Sequence, residues 1–453
     1  MRTRGRIDFT QGNIIRAIVA FSLPIVAGEL LQNLYNSVDA LVVGNLVGKN
    51  ALAAVTVSGV IANMVVNFFN GMSVGANVVI STAFGRGDPD ELRSEIRVTF
   101  TFSVLLGVVL SAVGIAFTPA LLRFAGAQET YYQEALLYLR IYLAGLMFTV
   151  IYNNGAGILR AIGDSRTPFR ILVISCCTNI VLDLLFVGAL ELGVVGVALA
   201  TVVSQGLSVA LAYRAISRSQ QTRCVDFRAL RSGKKTVRAV LHVGMAAGMQ
   251  SALIGFSNIF VVRYMNLFST SAVAGIGIAQ RVDKFIVLPA KSFGITMTTY
   301  ISQNLGAERY ERIRAGKRRC LLVALAVTVT LCAGMYVFAE ECVRLFNPDR
   351  EVVAVGVAML HVLVPLYWTM PVREVYIGIL RGYGYSAVPM ALSLTGMVGV
   401  RQAFLAVVMN TGTPDIRSIY WCYPLGWVVT MLLLLIYYRA IRGRLTGLRG
   451  TDG

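Results

Sequence analysis

Charged residues are scarce in this 453-residue chain: Asp, Glu, Lys and Arg make up 14% of it, where an ordinary soluble domain carries about 25%. Hydrophobic residues reach 56% and the mean hydropathy is +0.68. A water-soluble globule is excluded on these grounds. Histidine is almost missing, with only His242 and His361, so imidazole-based catalysis has little to draw on. The seven cysteines show no metal-ligand spacing and read as reduced packing residues. No Walker A sequence, H-E-x-x-H or G-x-S-x-G occurs. The chain therefore lacks a nucleotide-phosphate loop and a nucleophile–base constellation. We expect no enzyme activity and no cofactor, and any uphill work must draw on an ion gradient.

Long apolar stretches are present instead. Twelve of them, near 15–43, 52–83, 97–118, 131–159, 168–188, 193–215, 239–268, 272–303, 319–339, 352–380, 387–409 and 421–440, are long enough to cross about 30 Å of hydrocarbon. The expected fold is all-α and polytopic. A basic stretch, 216–238, separates an N-lobe at 1–215 from a C-lobe at 239–453, each with six helices.

The halves are copies. Leu159, Arg160, Gly163, Ser165 and Pro168 recur as Leu380, Arg381, Gly384, Ser386 and Pro389, an offset of 221 residues that also carries Ser81 onto Ser302 and Gly85 onto Gly306. Six crossings per unit return the chain to its starting side, so the two repeats are parallel.

The formal net charge of +18 invites a nucleic-acid reading, but its placement argues otherwise. With the N-terminus inside, segments on the inner side hold 29 of the 41 Lys and Arg residues, outer loops hold five, and seven lie within spans. This asymmetry predicts that both termini are cytoplasmic, in a multi-pass protein of the plasma (inner) membrane. Membrane lipids are the expected macroscopic partner, the basic stretch 216–238 being suited to anionic head groups. Nucleic acid is not expected as a partner.

Ionisable side chains inside spans mark function by default. Glu29 and Asp39 lie in the first span and Asp183 in the fifth. Tyr35 and Asn179 stand four residues before Asp39 and Asp183, which puts each pair on one helix face. Two carboxyls sharing a poorly hydrated pocket cannot both stay ionised cheaply, which suits the pair to take up and release a proton. A purely structural polar contact between helices is the alternative. The second half carries cations: Arg281, Lys284 and Lys291 fall on one face of the eighth span, and Arg373 and Arg401 follow, against Asp283 and Glu374. Arg281 or Lys284 is expected to pair with Asp283, and Arg373 with Glu374. Lys291 is the hardest to explain by snorkelling to an interface. Pro24, Pro289, Pro365 and Pro371 interrupt spans and are expected to kink them.

Several of these runs resemble the MATE (multidrug and toxic compound extrusion) transporters. They are Leu30 to Asp39, Leu159 to Pro168, Asn179 to Asp183 and Ser302 to Ala307, within a likeness that spans about 10–440. The resemblance implies a V-shaped pair of six-helix lobes and export of a small molecule in exchange for H⁺ or Na⁺, by a chain that functions as a monomer. On the proton-coupled prokaryotic branch, the ion-coupling positions matched here are Tyr35, Asp39, Tyr138, Asn154, Asn179, Asp183 and Thr201, with Pro24 as the point where the first helix bends. Na⁺ held by Asp39, Asp183 and Asn179 is the other option. The Na⁺-linked branch is less similar, because Gln250, Ser251, Phe256 and Ser257 stand at the depth where it carries a carboxylate. Glu29, Arg281, Lys284, Lys291 and Glu374 are candidates to line a substrate cavity. Lys291 sits where relatives usually carry an uncharged residue. A lipid-linked oligosaccharide or polysaccharide flippase of the same broad superfamily is the alternative function.

Overall fold

The computed structural model describes residues 6–47, 49–126, 128–220, 224–411 and 415–446, with side chains described outside 34–46, 49–52, 124 and 446. Every regular element among them is helical. In chain order they are α1 (Ile14–Leu46), α2 (Lys49–Arg86), α3 (Pro89–Phe124), α4 (Tyr132–Ala144), α5 (Leu146–Ala161), α6 (Arg166–Asp183), α7 (Gly193–Gln220), α8 (Ala229–Ser232) and α9 (Lys234–Met265). There follow α10 (Thr270–Val282), α11 (Lys284–Gly306), α12 (Tyr310–Val337), α13 (Ala339–Arg344), α14 (Arg350–Leu363), α15 (Thr369–Gly382), α16 (Ala387–Leu394), α17 (Arg401–Asn410) and α18 (Ile416–Thr446).

Nine helices among the described residues are apolar and long enough to cross a membrane, and two bent pairs bring the number to eleven. The stretch expected as the eighth span is the α10–α11 pair, broken at Asp283. Its second part buries Ser292, Thr296, Thr298, Thr299, Ser302, Gln303 and Asn304, so it is polar but not exposed. The bends are only partly where proline predicts them. The α14–α15 pair turns by 52° around the 3₁₀ turn Val364–Leu366, which contains Pro365. The α4–α5 pair turns by 42° with no proline at all. Gly145 stands at that joint, and a Cβ there would lie 2.4 Å from Val202 Cγ2, so α7 takes the space a side chain would need. By contrast α1 and α11 run as unbroken helices through Pro24 and Pro289.

The chain divides into two compact units. One comprises Met1–Asp8 and Leu23–Gly248, the other Phe9–Ser22 and Met249–Gly453. Both α1 and α9 are shared, and Pro24 lies two residues beyond the division in α1. In the second unit, the segment ahead of α1 is tied down at Phe9. Its N–H donates to Gln303 Oε1 at 3.1 Å, and its carbonyl accepts from Asn304 Nδ2 and from the Arg312 guanidinium. Its ring sits edge-on to Phe21 and Tyr300.

The duplication is visible atom by atom inside each unit. Ser81 Oγ donates to Ala161 O at 3.5 Å, and Ser302 Oγ to Gly382 O at 3.0 Å, the same bond 221 residues apart. Gly163 (φ 84°) and Gly384 (φ 87°) close α5 and α15 in the left-handed region. Each closure carries the six-residue loop bond of a Schellman cap, Asp164 N to Leu159 O and Tyr385 N to Leu380 O, both 2.9 Å. Gly157 packs on the carbonyl of Ser73, and Gly378 on that of Gly294, and a Cβ would lie 2.8 Å and 2.3 Å from those oxygens. The recurring Leu-Arg-x-x-Gly run is thus the end of a helix that must approach another backbone closely and then stop.

Candidate functional site

In the first unit the fifth span is α6 followed by the π-helical turn Leu184–Ala189. A π turn widens the backbone and recurs at functional sites. Asp183 is the last residue before it and is wholly buried, while Asn179, one helical turn earlier, is buried to 1% exposure. α6 packs on α7, where Thr201 is buried and donates to Val197 O at 3.1 Å, and Ser175 Oγ donates to Ser204 O at 3.0 Å across the pair. Tyr138 of α4 joins the small core of Val187, Val194, Val197 and Ala198 that covers the π turn. Asn179 and Asp183 thus lie on α6, Thr201 on α7 and Tyr138 on α4, and α7 packs against both other helices. Asn154 lies on α5, buried, and donates to Val150 O. Tyr35 and Asp39 belong to α1, and their side chains lie outside the described residues.

Glu29 is half-buried on α1. It lies within electrostatic reach of Arg160, the arginine of the repeated run. The second unit repeats this contact at the same offset. Arg381 donates to Gln250 Oε1 at 2.8 Å, and Gln250 is the counterpart of Glu29. An amide thus replaces a carboxylate against the same guanidinium. This arginine pair was missed as a site by sequence reasoning, although the repeated motif contained both members.

The rest of the second unit is rich in cations. Glu374 pairs with Arg373 at 2.6 Å, as expected from their adjacency, and it also lies within reach of Lys291 and Arg381. Asp283 accepts from Tyr367 Oη at 3.2 Å, with Lys284 close by. Its hydrogen-bond partner is thus a tyrosine that sequence spacing could not reveal. Arg281, Lys284 and Lys291 are all exposed, and both of the others lie within electrostatic reach of Lys284. A second π turn, Thr395–Val400, leads directly into Arg401. That side chain is 1% exposed, donates to Ser257 Oγ at 2.7 Å and lies 5.7 Å from the Tyr423 ring centre. The fifth span therefore buries a carboxyl beside its π turn, and the eleventh, its repeat counterpart, buries a guanidinium. The span-seven residues Gln250 and Ser257 serve here as acceptors for two arginines.

Chemically, the first unit offers a buried carboxyl with amide and hydroxyl neighbours, a set that can exchange a proton or hold a small hard cation through oxygen. The second offers exposed ammonium and guanidinium groups, suited to an anion.

Comparison with known proteins matches both halves separately. The MatE family model fits residues 24–185 and again 246–407. A Bacillus subtilis protein named "Probable multidrug resistance protein YpnP" is 30% identical over 401 residues, spanning 88% of this chain and 89% of its own. Among solved structures, MATE in the straight conformation superposes with a TM-score of 0.89 at 22% identity, covering 100% of both chains. A MOP superfamily transporter from Pyrococcus furiosus, described as having a binding pocket of reverse polarity, superposes with a TM-score of 0.85 at 22% identity, again over 100% of both.

Proposed function

Since this chain belongs to the MATE family, whose model covers each of its halves, we propose that it exports drug-like small molecules by antiport against H⁺, with Na⁺ as the competing ion. The observation that carries the reading is the buried Asn179–Asp183 turn on the duplicated scaffold. A carboxyl withdrawn from water in a membrane span is costly, and a protein that must bind and release a cation on every cycle has a use for one. In this reading Thr201 and Tyr138 adjust that binding, and Asp39 with Tyr35 completes the acid pair. Pro24 removes one backbone bond of α1 close to the division between the units, so bending of that helix is the step that links ion binding to substrate release. The two repeats then open alternately to the two sides of the membrane. Efflux of a fluorescent dye from reconstituted vesicles under an imposed pH or Na⁺ gradient tests this. Dye movement that follows the pH gradient and is indifferent to Na⁺ is expected, and movement that ignores both gradients would overturn it.

The proposed topology puts both termini and the basic stretch 216–238 in the cytoplasm of a plasma-membrane protein, on the Lys/Arg asymmetry. Single cysteines at Gln128 and Ser232, both exposed, separate the options in a Cys-free background. An impermeant thiol reagent on intact cells should label the Gln128→Cys protein and spare the Ser232→Cys protein, and the reverse pattern would invert the topology.

The cations of the second unit bear on substrate class. Their support is the exposed row Arg281, Lys284 and Lys291. We read them as admitting anionic or zwitterionic compounds; a solved transporter of this fold, from Pyrococcus furiosus, is described as having a binding pocket of reverse polarity.

A further inference from the structure

A groove of about 700 Å³ lies in the first unit, between α3, α8 and the beginning of α9. Its walls are apolar, with Phe102 and Leu105 from α3 and Leu241 and Met245 from α9. Along one edge run Lys234, Arg238 and His242. They are spaced four residues apart, so they form a single ladder on the helix, and all three are exposed. None makes an ion pair among the described residues. The nearby carboxylates are engaged elsewhere. Asp226 faces Arg97 at 3.7 Å, and Glu95 accepts from Thr236 on another face of α9.

The orientation of α9 is fixed from behind. Gly244 and Gly248 lie against the backbone of α2, where added Cβ atoms would come within 2.7 Å of Met72 O and 2.6 Å of Phe68 O. Residues 234, 238 and 242 are offset by two positions from the row 240, 244 and 248, which turns the basic ladder away from α2. The ladder starts at the first residue of a membrane span, Lys234. It stands at the end of the spans where Lys and Arg concentrate, next to Arg228, Arg231 and Lys235. Deeper along the same elements the surface is exposed and apolar: Leu105 is 45% exposed, Val108 49% and Met245 41%.

An occupant of this groove must be anionic at one end and apolar along its length. We propose that it is a binding site for an anionic phospholipid. The phosphate would sit on Lys234, Arg238 and the His242 ring N–H, and an acyl chain would lie over Phe102, Leu105, Leu241 and Met245. A free phosphate would gain from the cations alone and leave the apolar walls unused. Each basic residue near an anionic lipid surface adds to the attraction, so removing the ladder should erase most of the preference for charged head groups. The inference rests on membrane insertion and not on the export reading.

The test is native mass spectrometry of the delipidated full chain, titrated with phosphatidylglycerol, with phosphatidylcholine of the same acyl chains, or with inorganic phosphate. The wild type should retain phosphatidylglycerol roughly tenfold or more tightly than phosphatidylcholine. The triple variant Lys234→Gln/Arg238→Gln/His242→Gln should lose that preference. Arg228→Gln/Arg231→Gln, which removes charge beside the groove, should keep it. Equal loss in both variants, or a preference that survives the triple substitution, would overturn the site. Displacement of the lipid by equimolar inorganic phosphate would show a simple anion site instead.

Discussion

Asp183→Asn is expected to reduce gradient-driven export to the level of protein-free vesicles while the protein still folds and reaches the membrane. The side chain is wholly buried at the last position of α6, one turn beyond the buried Asn179. Asparagine has nearly the same volume and keeps a carbonyl acceptor, so packing against α7 and the cover of Tyr138 and Val187 should survive. What it cannot do is bind and release a proton, or offer a full negative charge to Na⁺. Asn179→Ala should weaken export without abolishing it, because it removes a neighbour of the exchanging group and not the group itself. The measurement is dye efflux from vesicles at matched protein content, with size-exclusion elution as the folding control. Wild-type efflux from a correctly folded Asp183→Asn protein would show that the exchangeable group lies elsewhere. The buried carboxyl would then serve the α6–α7 contact alone.

The parts of this molecule that were legible in sequence are those that depend on local rules. Apolar length gives the spans, and the repeated Arg-x-x-Gly run marked two equivalent positions, which the structure shows to be Schellman caps with the same bond lengths. The Arg373–Glu374 pair followed from adjacency. Partners across helices were not legible. Nothing in the spacing of Arg401, Ser257 and Tyr423 announces that they meet, because hydrophobic periodicity locates a helix but says little about what it faces. The bend at Gly145 was hidden for a related reason: Val202, more than fifty residues away, excludes a side chain there. Asp283 illustrates a third kind of blindness. Local charges suggested Arg281 or Lys284 as its partner; Lys284 does lie within electrostatic reach, and the fold adds the hydroxyl of Tyr367, stacked on Trp427. The Ser and Thr residues of α11 lower the hydropathy of the eighth stretch, and the structure satisfies their hydroxyls on their own backbone, as Ser292 does on Leu288 O and Thr296 on Ser292 O.

The comparison of Glu29 with Gln250 shows how a duplicated scaffold acquires two chemistries. The same arginine of the same cap faces a carboxylate in one unit and an amide in the other. Beside the π turns, the first unit buries Asp183 and the second buries Arg401. Duplication preserved the backbone contacts while side chains of opposite sign accumulated in the two halves. The proposed ion-coupling role of the first half and substrate-facing role of the second follow that division.

Lys291→Met tests this division and should separate substrates by charge. Lys291 is exposed on α11 and has no carboxylate within ion-pair distance among the described residues. Glu374 lies within electrostatic reach of it, and Arg373 already holds that group at 2.6 Å, with Arg381 also in reach. One carboxylate cannot neutralise three cations, so positive charge is left over to meet a ligand. A charge-assisted contact contributes about 1.5–3 kcal/mol, which corresponds to a change of roughly tenfold or more in apparent affinity. Export of an anionic dye should therefore fall by about that factor in Lys291→Met, with the loss concentrated in KM. Export of a lipophilic cation should be unchanged or faster, since a repulsive charge has been removed. Lys291→Arg should retain most of the anion transport, because it keeps the charge. Equal losses for both dyes in Lys291→Met would mean that Lys291 supports the Arg373–Glu374 pair and not the substrate. Glu374→Gln would then be expected to reproduce the same uniform loss.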